Sequence, residues 1–295
     1  CNTTGAILCE QCGSTNVHIV RKNYIKRLIG LPEEKLQIAN GDIYINGKIV
    51  RKPEKVQDAL WAPVFDSNYP AKQEIVENWE ADDKYWKISK EQLHLNIPDQ
   101  VKQKSYITFK REITDYSVYN SEIIDAISAD VMLAFDVTTT GKSGGISILL
   151  EEDEKTYEVF IRSRGVKEEA HLKISGSIVD SNADAFINPQ ETSRIEFSTA
   201  DNEIIVKLND SVIFSHTYDT DLSSLEGYTK FSSLKLGGIN TDAIFKNITI
   251  SRDVFYTESG KWGTFNPVEI GEKQYFFLGD NSRNSNDSRY WKFVP

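Results

Sequence analysis

From about Val64 to Tyr256, apolar and polar positions alternate along short runs, the pattern of strands that bury one face in a sheet. VMLAFDVTT, GISILLEE, TYEVFIRS, RIEFSTA, EIIVKL and SVIFSHTY are the clearest of these runs. Asn209-Asp210 and Asp201-Asn202 separate alternating runs as two-residue hairpin turns do, because Asn and Asp tolerate positive φ. Helical periodicity is scarce, and no repeat of fixed period emerges. The pattern predicts an all-β chain whose long middle forms a sandwich.

The flanks have a different texture. Asn23 to Ile49 reads as a compact meander: a strand across NYIKRLIGL, a turn at Pro32, strands KLQI and DIYI, and a hairpin at Asn46-Gly47. Polarity rises and the register breaks between Pro53 and Trp61, which predicts a boundary or linker. At the other end QYFFLGD is a short strand, SRNSNDSR a polar loop and YWKFVP an aromatic close.

Composition narrows the partners. With 39% hydrophobic residues the 295-residue chain can fill real cores, and its net charge of −10 excludes a nucleic-acid backbone as a partner. The excess of acid sits in the middle, whereas the first 60 residues are slightly basic, compatible with work beside an anionic bilayer. No run approaches the roughly 18 apolar residues that span a bilayer. Met132 is the only methionine and the chain starts at Cys1, so we expect a processed chain or part of a longer one, with any membrane segment outside it.

Two strings carry candidate chemistry. In NYIKRLIGLP, strand alternation puts Tyr24, Lys26 and Leu28 on one face and Ile25, Arg27 and Ile29 on the other, so one of the two cations meets apolar neighbours. A buried Lys26 would favour the neutral amine, which can act as a general base; the plainer alternative is an edge-strand lysine in water. In the loop Gly279 to Arg289, Asp, Asn and Ser stabilise irregular turns. Asp287 and Arg289 can also pair there, and Ser285 and Ser288 can present hydroxyls to a neighbouring strand.

Together these strings resemble the type I signal peptidases, serine endopeptidases with a Ser-Lys dyad. The lysine strand of that family reads much like YIKRLIGLP, and its closing box is matched by Gly279, Asp280, Asn281, Ser285, Asp287, Ser288 and Arg289. The resemblance covers about residues 22–62 and 262–295. It implies that Lys26 is the general base, that Ser285 orients its amine, that Asp287 and Arg289 pair to hold the loop, and that Gly279, Asp280, Asn281 and Ser288 support the site. The family's nucleophile lies in a serine box upstream of the lysine, and no such box stands here; Ser14 lacks its flanking pattern. We therefore expect an N-terminally incomplete chain or an inactive relative, which as given does not hydrolyse peptide bonds. By the same resemblance the complete protein cleaves signal peptides from exported preproteins at the cell membrane, on the extracytoplasmic side, with no cofactor required for catalysis.

The likeness extends to the Planctomycete form of the family, which carries a large inserted sandwich. The expected organisation is 1–21 as a partial zinc-knuckle segment, 22–62 with 257–295 as a discontinuous signal-peptidase-like β domain, and 63–256 as an inserted jelly roll similar to concanavalin or laminin-G modules. Cys9 and Cys12 have the C-x-x-C-G spacing of half a structural zinc site, to which Cys1 and His18 could add; two ordinary thiols are the alternative, and Cys1 also fits a lipidated terminus. The jelly roll implies a glycan or protein ligand, and the competing function is a non-catalytic binding protein of the cell envelope. Trp61, Trp79 and Trp86 could stack on sugars or pack in a core. His94, His171 and His216 have no acid or nucleophile partner in sequence and read as packed or surface residues.

Overall fold

The computed structural model describes residues 25–69, 78–114, 127–128, 130–140, 144–219, 222, 229 and 231–295. Short strands β1 (Arg27–Gly30), β2 (Lys35–Ala39), β3 (Asp42–Ile45) and β4 (Lys48–Ile49) lead to helix α1 (Glu54–Leu60). The long middle follows as β5 (Ala62–Asp66), β6 (Trp79–Ala81), β7 (Trp86–Ile88), β8 (Leu93–Asn96), β9 (Ser105–Phe109), β10 (Val131–Thr139), β11 (Gly145–Glu152) and β12 (Lys155–Ser163). It continues through β13 (Ala170–Ile174), β14 (Ser177–Asn182), β15 (Phe186–Ile187), β16 (Thr192–Ala200), β17 (Glu203–Leu208), β18 (Ser211–Thr217), β19 (Ser232–Ile239) and β20 (Asp242–Arg252). β21 (Val268–Glu269), β22 (Phe276–Leu278) and the helical turn α2 (Ser288–Trp291) close the chain.

The middle strands form two eight-stranded sheets. One has the order β18-β17-β16-β10-β20-β8-β7 with β5 also on β20, and the other β14-β13-β12-β11-β19-β9-β6 with β15 also on β12. The chain crosses repeatedly between them, as in a jelly roll. Every second residue points inward: β16 buries Ile195 and Phe197, β17 buries Ile204 and Val206, and these share one core with Ile148, Leu150, Val159 and Ile161 of the facing sheet. Each such side chain contributes about 1.5–3 kcal/mol through loss of contact with water. The hairpins turn where the pattern places them. Asn46, Gly47, Asp201, Asn202, Asn209 and Asp210 all have positive φ, the conformation that matches the twist of paired strands.

A second, smaller cluster of apolar residues gathers Leu36, Ile38 and Ile43 with Val268, Ile270, Phe276 and Leu278. All but Ile270, which follows β21, belong to the four-stranded sheet β21-β2-β3-β4 and to the β1–β22 pair. Two expectations change here. Pro53 to Trp61 contains helix α1 instead of a plain linker: Val56 and Leu60, one helical turn apart, pack onto the small cluster while Asp58 and Ala59 between them are exposed. The strand expected across Asn23–Leu31 starts only at Arg27, with Lys26 immediately ahead of it, and Asn23 and Tyr24 lie outside the described residues.

Lys52 ties the small cluster to the sandwich. Its ammonium donates to Asp201 at 2.5 Å, in the β16–β17 turn, and to Asp253 at 2.7 Å, just after β20. Burial works against the ammonium, but Asp253 and Asp201 outweigh it and hold the Lys52 pKa above the ordinary lysine value. Asp42 and Asp130 stand in the same cluster. Loss of water, reinforced by the neighbouring carboxylates, pushes Asp42 up to about 8 and Asp130 well above the usual carboxylate range.

Candidate active site

β1 runs antiparallel to β22, with Arg27 opposite Leu278 and Leu28 opposite Phe277. That register brings Lys26, just before β1, beside Gly279, just after β22. Lys26 Nζ donates a hydrogen bond to Ser285 Oγ at 2.5 Å across 259 residues of sequence. Gly279 lies against both groups: a Cβ built on it would stand 2.2 Å from Ser285 Oγ and 3.0 Å from Lys26 Nζ. Only a residue without a side chain allows this contact.

The loop that carries Ser285 is pinned from beneath. After a single 3-10 turn at Ser282–Asn284, Asp287 caps α2 by accepting from Arg289 N at 3.2 Å, and it also accepts from Gly279 N at 3.1 Å. Arg289 and Asp287 are both fully buried and pair through two contacts, Nε to Oδ1 at 2.9 Å and Nη2 to Oδ2 at 2.8 Å. The remaining guanidinium donors reach Thr257 O and Thr257 Oγ1, each at 2.8 Å, Ser282 Oγ at 2.6 Å and Ser282 O at 2.5 Å. A buried ion pair is tolerable when its outward hydrogen bonds are also met, and here they are. Ser288 Oγ accepts from Phe277 N at 2.9 Å and so fastens α2 to β22.

Asp280 receives Arg27 through Nε at 3.1 Å and Nη2 at 3.0 Å in a solvent-accessible pair. Asn281 precedes the 3-10 turn, and its carbonyl accepts from Asn284 N at 3.2 Å. All seven residues of the closing box therefore lie in one loop against the end of β22, with Lys26 in contact with it. Thr257, Ser282 and Arg27 belong to the same assembly and escape sequence reasoning. Thr257 is distant in sequence and carries no motif, Ser282 falls among the variable positions of the box, and Arg27 reads only as the second cation of its strand.

In chemical terms, an amine in direct contact with a hydroxyl can receive or return a proton once it is neutral. Ser285 is 8% exposed, an enclosure better suited to orienting the amine than to attacking a substrate carbonyl. Lys26 is partly exposed, and a shallow cleft of about 180 Å³ beside it is lined by Ile25, Lys26, Arg27 and Asp280.

The other candidates separate by position. Cys1, Cys9, Cys12, Ser14 and His18 lie outside the described residues, and among the described residues no group of His, Cys, Asp and Glu is arranged to hold a metal. Trp79 and Trp86 are buried in the sandwich core, where Trp79 meets Phe65 and Phe109 and Trp86 meets Phe245. Trp61 instead lines an open cleft. His94 does have an acid partner, Asp242 at 2.7 Å on the neighbouring strand, which no sequence spacing foretells.

Comparison with known proteins bears on the same residues. The family model described as signal peptidase, peptidase S26, matches residues 15–110 and 235–295, more than half of the chain, on either side of most of the sandwich. A probable signal peptidase I-2 from Synechocystis sp. (strain ATCC 27184 / PCC 6803 / Kazusa) is 55% identical over 31 residues, which span 10% of this chain and 14% of that protein. Among solved structures, a carbohydrate-binding module from Bacillus subtilis is similar over 59% of this chain and 95% of its own, at 13% identity and a TM-score of 0.40. A laminarinase from Flavobacterium sp. UMI-01 is similar over 65% of this chain and 100% of its own, at 8% identity and a TM-score of 0.45. These two likenesses are of fold alone. By its match to the family model on both sides of the sandwich, this chain belongs to the signal peptidase family, peptidase S26.

Proposed function

We propose that this chain is the extracytoplasmic part of a signal peptidase I-like serine endopeptidase, with Lys26 as general base and Ser285 as the group that orients it. The observation that carries this reading is the 2.5 Å contact between Lys26 Nζ and Ser285 Oγ, on a loop pinned by a buried, fully hydrogen-bonded ion pair. In the reaction, the neutral amine takes the proton of a nucleophilic serine hydroxyl, the serine oxygen attacks the scissile carbonyl, and the departing amine of the mature protein receives the proton from lysine. Water then enters by the same base and releases the signal peptide from the acyl-enzyme. The nucleophilic serine belongs to a segment outside the described residues, and membrane attachment belongs to the complete protein.

The substrate is an exported preprotein whose extended segment lies in the shallow cleft beside Lys26, in the manner of a strand added to an open edge. The test is mass spectrometry of a preprotein incubated with the full-length protein in detergent. We expect one cut behind a small side chain, and Ser285→Ala is expected to slow it about 10–100-fold, as the loss of an orienting partner does. A full-length protein that leaves preproteins intact overturns the reading.

A further inference from the structure

Residues 253–258 carry the chain from β20 of the sandwich toward the closing loop, and they are tied down at nearly every step. Asp253, directly after β20, accepts from Lys52 at 2.7 Å and from Val254 N at 2.7 Å. Tyr256 N donates to Gly41 O at 3.0 Å, and Glu258 Oε1 accepts from Asn40 N at 2.8 Å. Thr257 stands between those two anchors, 7% exposed, with its N–H, carbonyl and hydroxyl all bonded to side chains of the closing loop.

The hydroxyl has a role that the backbone of Thr257 does not. Ser282 Oγ already accepts from Thr257 N at 2.8 Å and from Arg289 Nη1 at 2.6 Å, so its own hydrogen goes to Thr257 Oγ1 at 3.3 Å. The Thr257 hydrogen in turn goes to Ser259 Oγ at 2.7 Å. Ser282 opens the 3-10 turn that delivers Ser285, and Arg289 lies beyond Ser285 on the same loop. Thr257 therefore holds the loop on both sides of the group that meets Lys26. Arg289 does not depend on this hydroxyl alone: the two Nη1 hydrogens have three acceptors in Thr257 O, Thr257 Oγ1 and Ser282 Oγ. Removing the hydroxyl leaves the buried guanidinium paired and takes from the loop the pin on Ser282.

We propose that the Thr257 hydroxyl is a positioning group for the Lys26–Ser285 pair, acting through Ser282 on the turn that carries Ser285. Its effect on rate rests on the proteolytic reading; its effect on the distance between Lys26 and Ser285 does not. A displacement of about 1 Å in a catalytic constellation costs on the order of 100-fold in rate, so a turn displaced for part of the time is expected to cost about tenfold.

The test is preprotein cleavage by the full-length parent, Thr257→Val, Thr257→Ser, Ser282→Ala and the Thr257→Val, Ser282→Ala double variant, with Tm recorded for each. Thr257→Val is expected to lower kcat about tenfold with KM within about twofold of the parent and Tm lower by no more than about 4 °C. Thr257→Ser keeps the hydroxyl and should return kcat to within about threefold of the parent. The double variant should lose less than the product of the single losses, because the two substitutions break one shared contact. A crystal structure of Thr257→Val is expected to show Ser285 Oγ beyond about 3.5 Å from Lys26 Nζ, or Ser285 in two positions. The proposal fails if Thr257→Val keeps the parental kcat, if it does not fold, if Thr257→Ser does not restore the rate, or if the crystal structure leaves the Lys26–Ser285 contact intact. A parent that leaves preproteins intact overturns the proteolytic reading instead, and the crystal structure then decides on Thr257 by itself.

Discussion

Gly279 shows how narrowly the site is drawn at the residue scale. Its missing side chain is what lets Ser285 Oγ sit between the end of β22 and the amine of Lys26. Gly279→Ala forces one of them to move, at a cost of about 1–3 kcal/mol in crowding. A crystal structure of that variant is expected to show the Lys26–Ser285 contact lengthened beyond hydrogen-bond range with the sandwich unchanged. The box from Gly279 to Arg289 was legible only through its resemblance to the closing box of the family, since its residue types alone read as a turn. Arg27 was not legible as the partner of Asp280, nor Thr257 as an acceptor for Arg289. Those contacts depend on which chain segments the fold brings together, and spacing carries no trace of them. Trp61, Trp79 and Trp86 make the same point, because residue type alone does not separate a core indole from one on a cleft.

At the scale of the element, the closing loop and α2 depend on the Asp287–Arg289 pair, which has no access to water. Arg289→Met leaves Asp287 buried without its cation and is expected to destabilise the small cluster by about 3–5 kcal/mol in urea unfolding. Adding Asp287→Leu to the same chain should restore part of that loss, because two apolar side chains carry no stranded charge. Equal stability of Arg289→Met and the parent would contradict this account of the loop. Elements were legible in proportion to their periodicity. β10, β11 and β12 stand where the alternation places them, and the Asn46-Gly47 and Asn209-Asp210 turns adopt the positive φ their residues permit. Helix α1 was missed because only Val56 and Leu60 mark its buried stripe in seven residues.

Across the whole molecule, the contact between the small cluster and the sandwich turns on Lys52 among Asp201, Asp253, Asp42 and Asp130. The proton on Asp42 sets a pH dependence. Its folded-state pKa, about 8, lies above the ordinary 3.8, so between those values the folded chain keeps a proton that the unfolded chain has lost. This contribution to stability is complete below about pH 4 and is lost as pH rises toward 8. Asp42→Asn, which mimics the neutral acid, should be less sensitive to pH over that range and more stable than the parent at pH 8. Urea titrations at pH 5 and pH 8 check this, and an unchanged slope in the variant would place the proton elsewhere. Nothing in the chain order announces that joint, since its carboxyls come from four separate stretches of sequence. The central claim is that the Lys26 amine, held by Ser285, is the base of the reaction, and preprotein cleavage by full-length Lys26→Ala tests it most directly. We predict a rate about a thousandfold below the parent at unchanged Tm; cleavage within about tenfold of the parent would contradict the account.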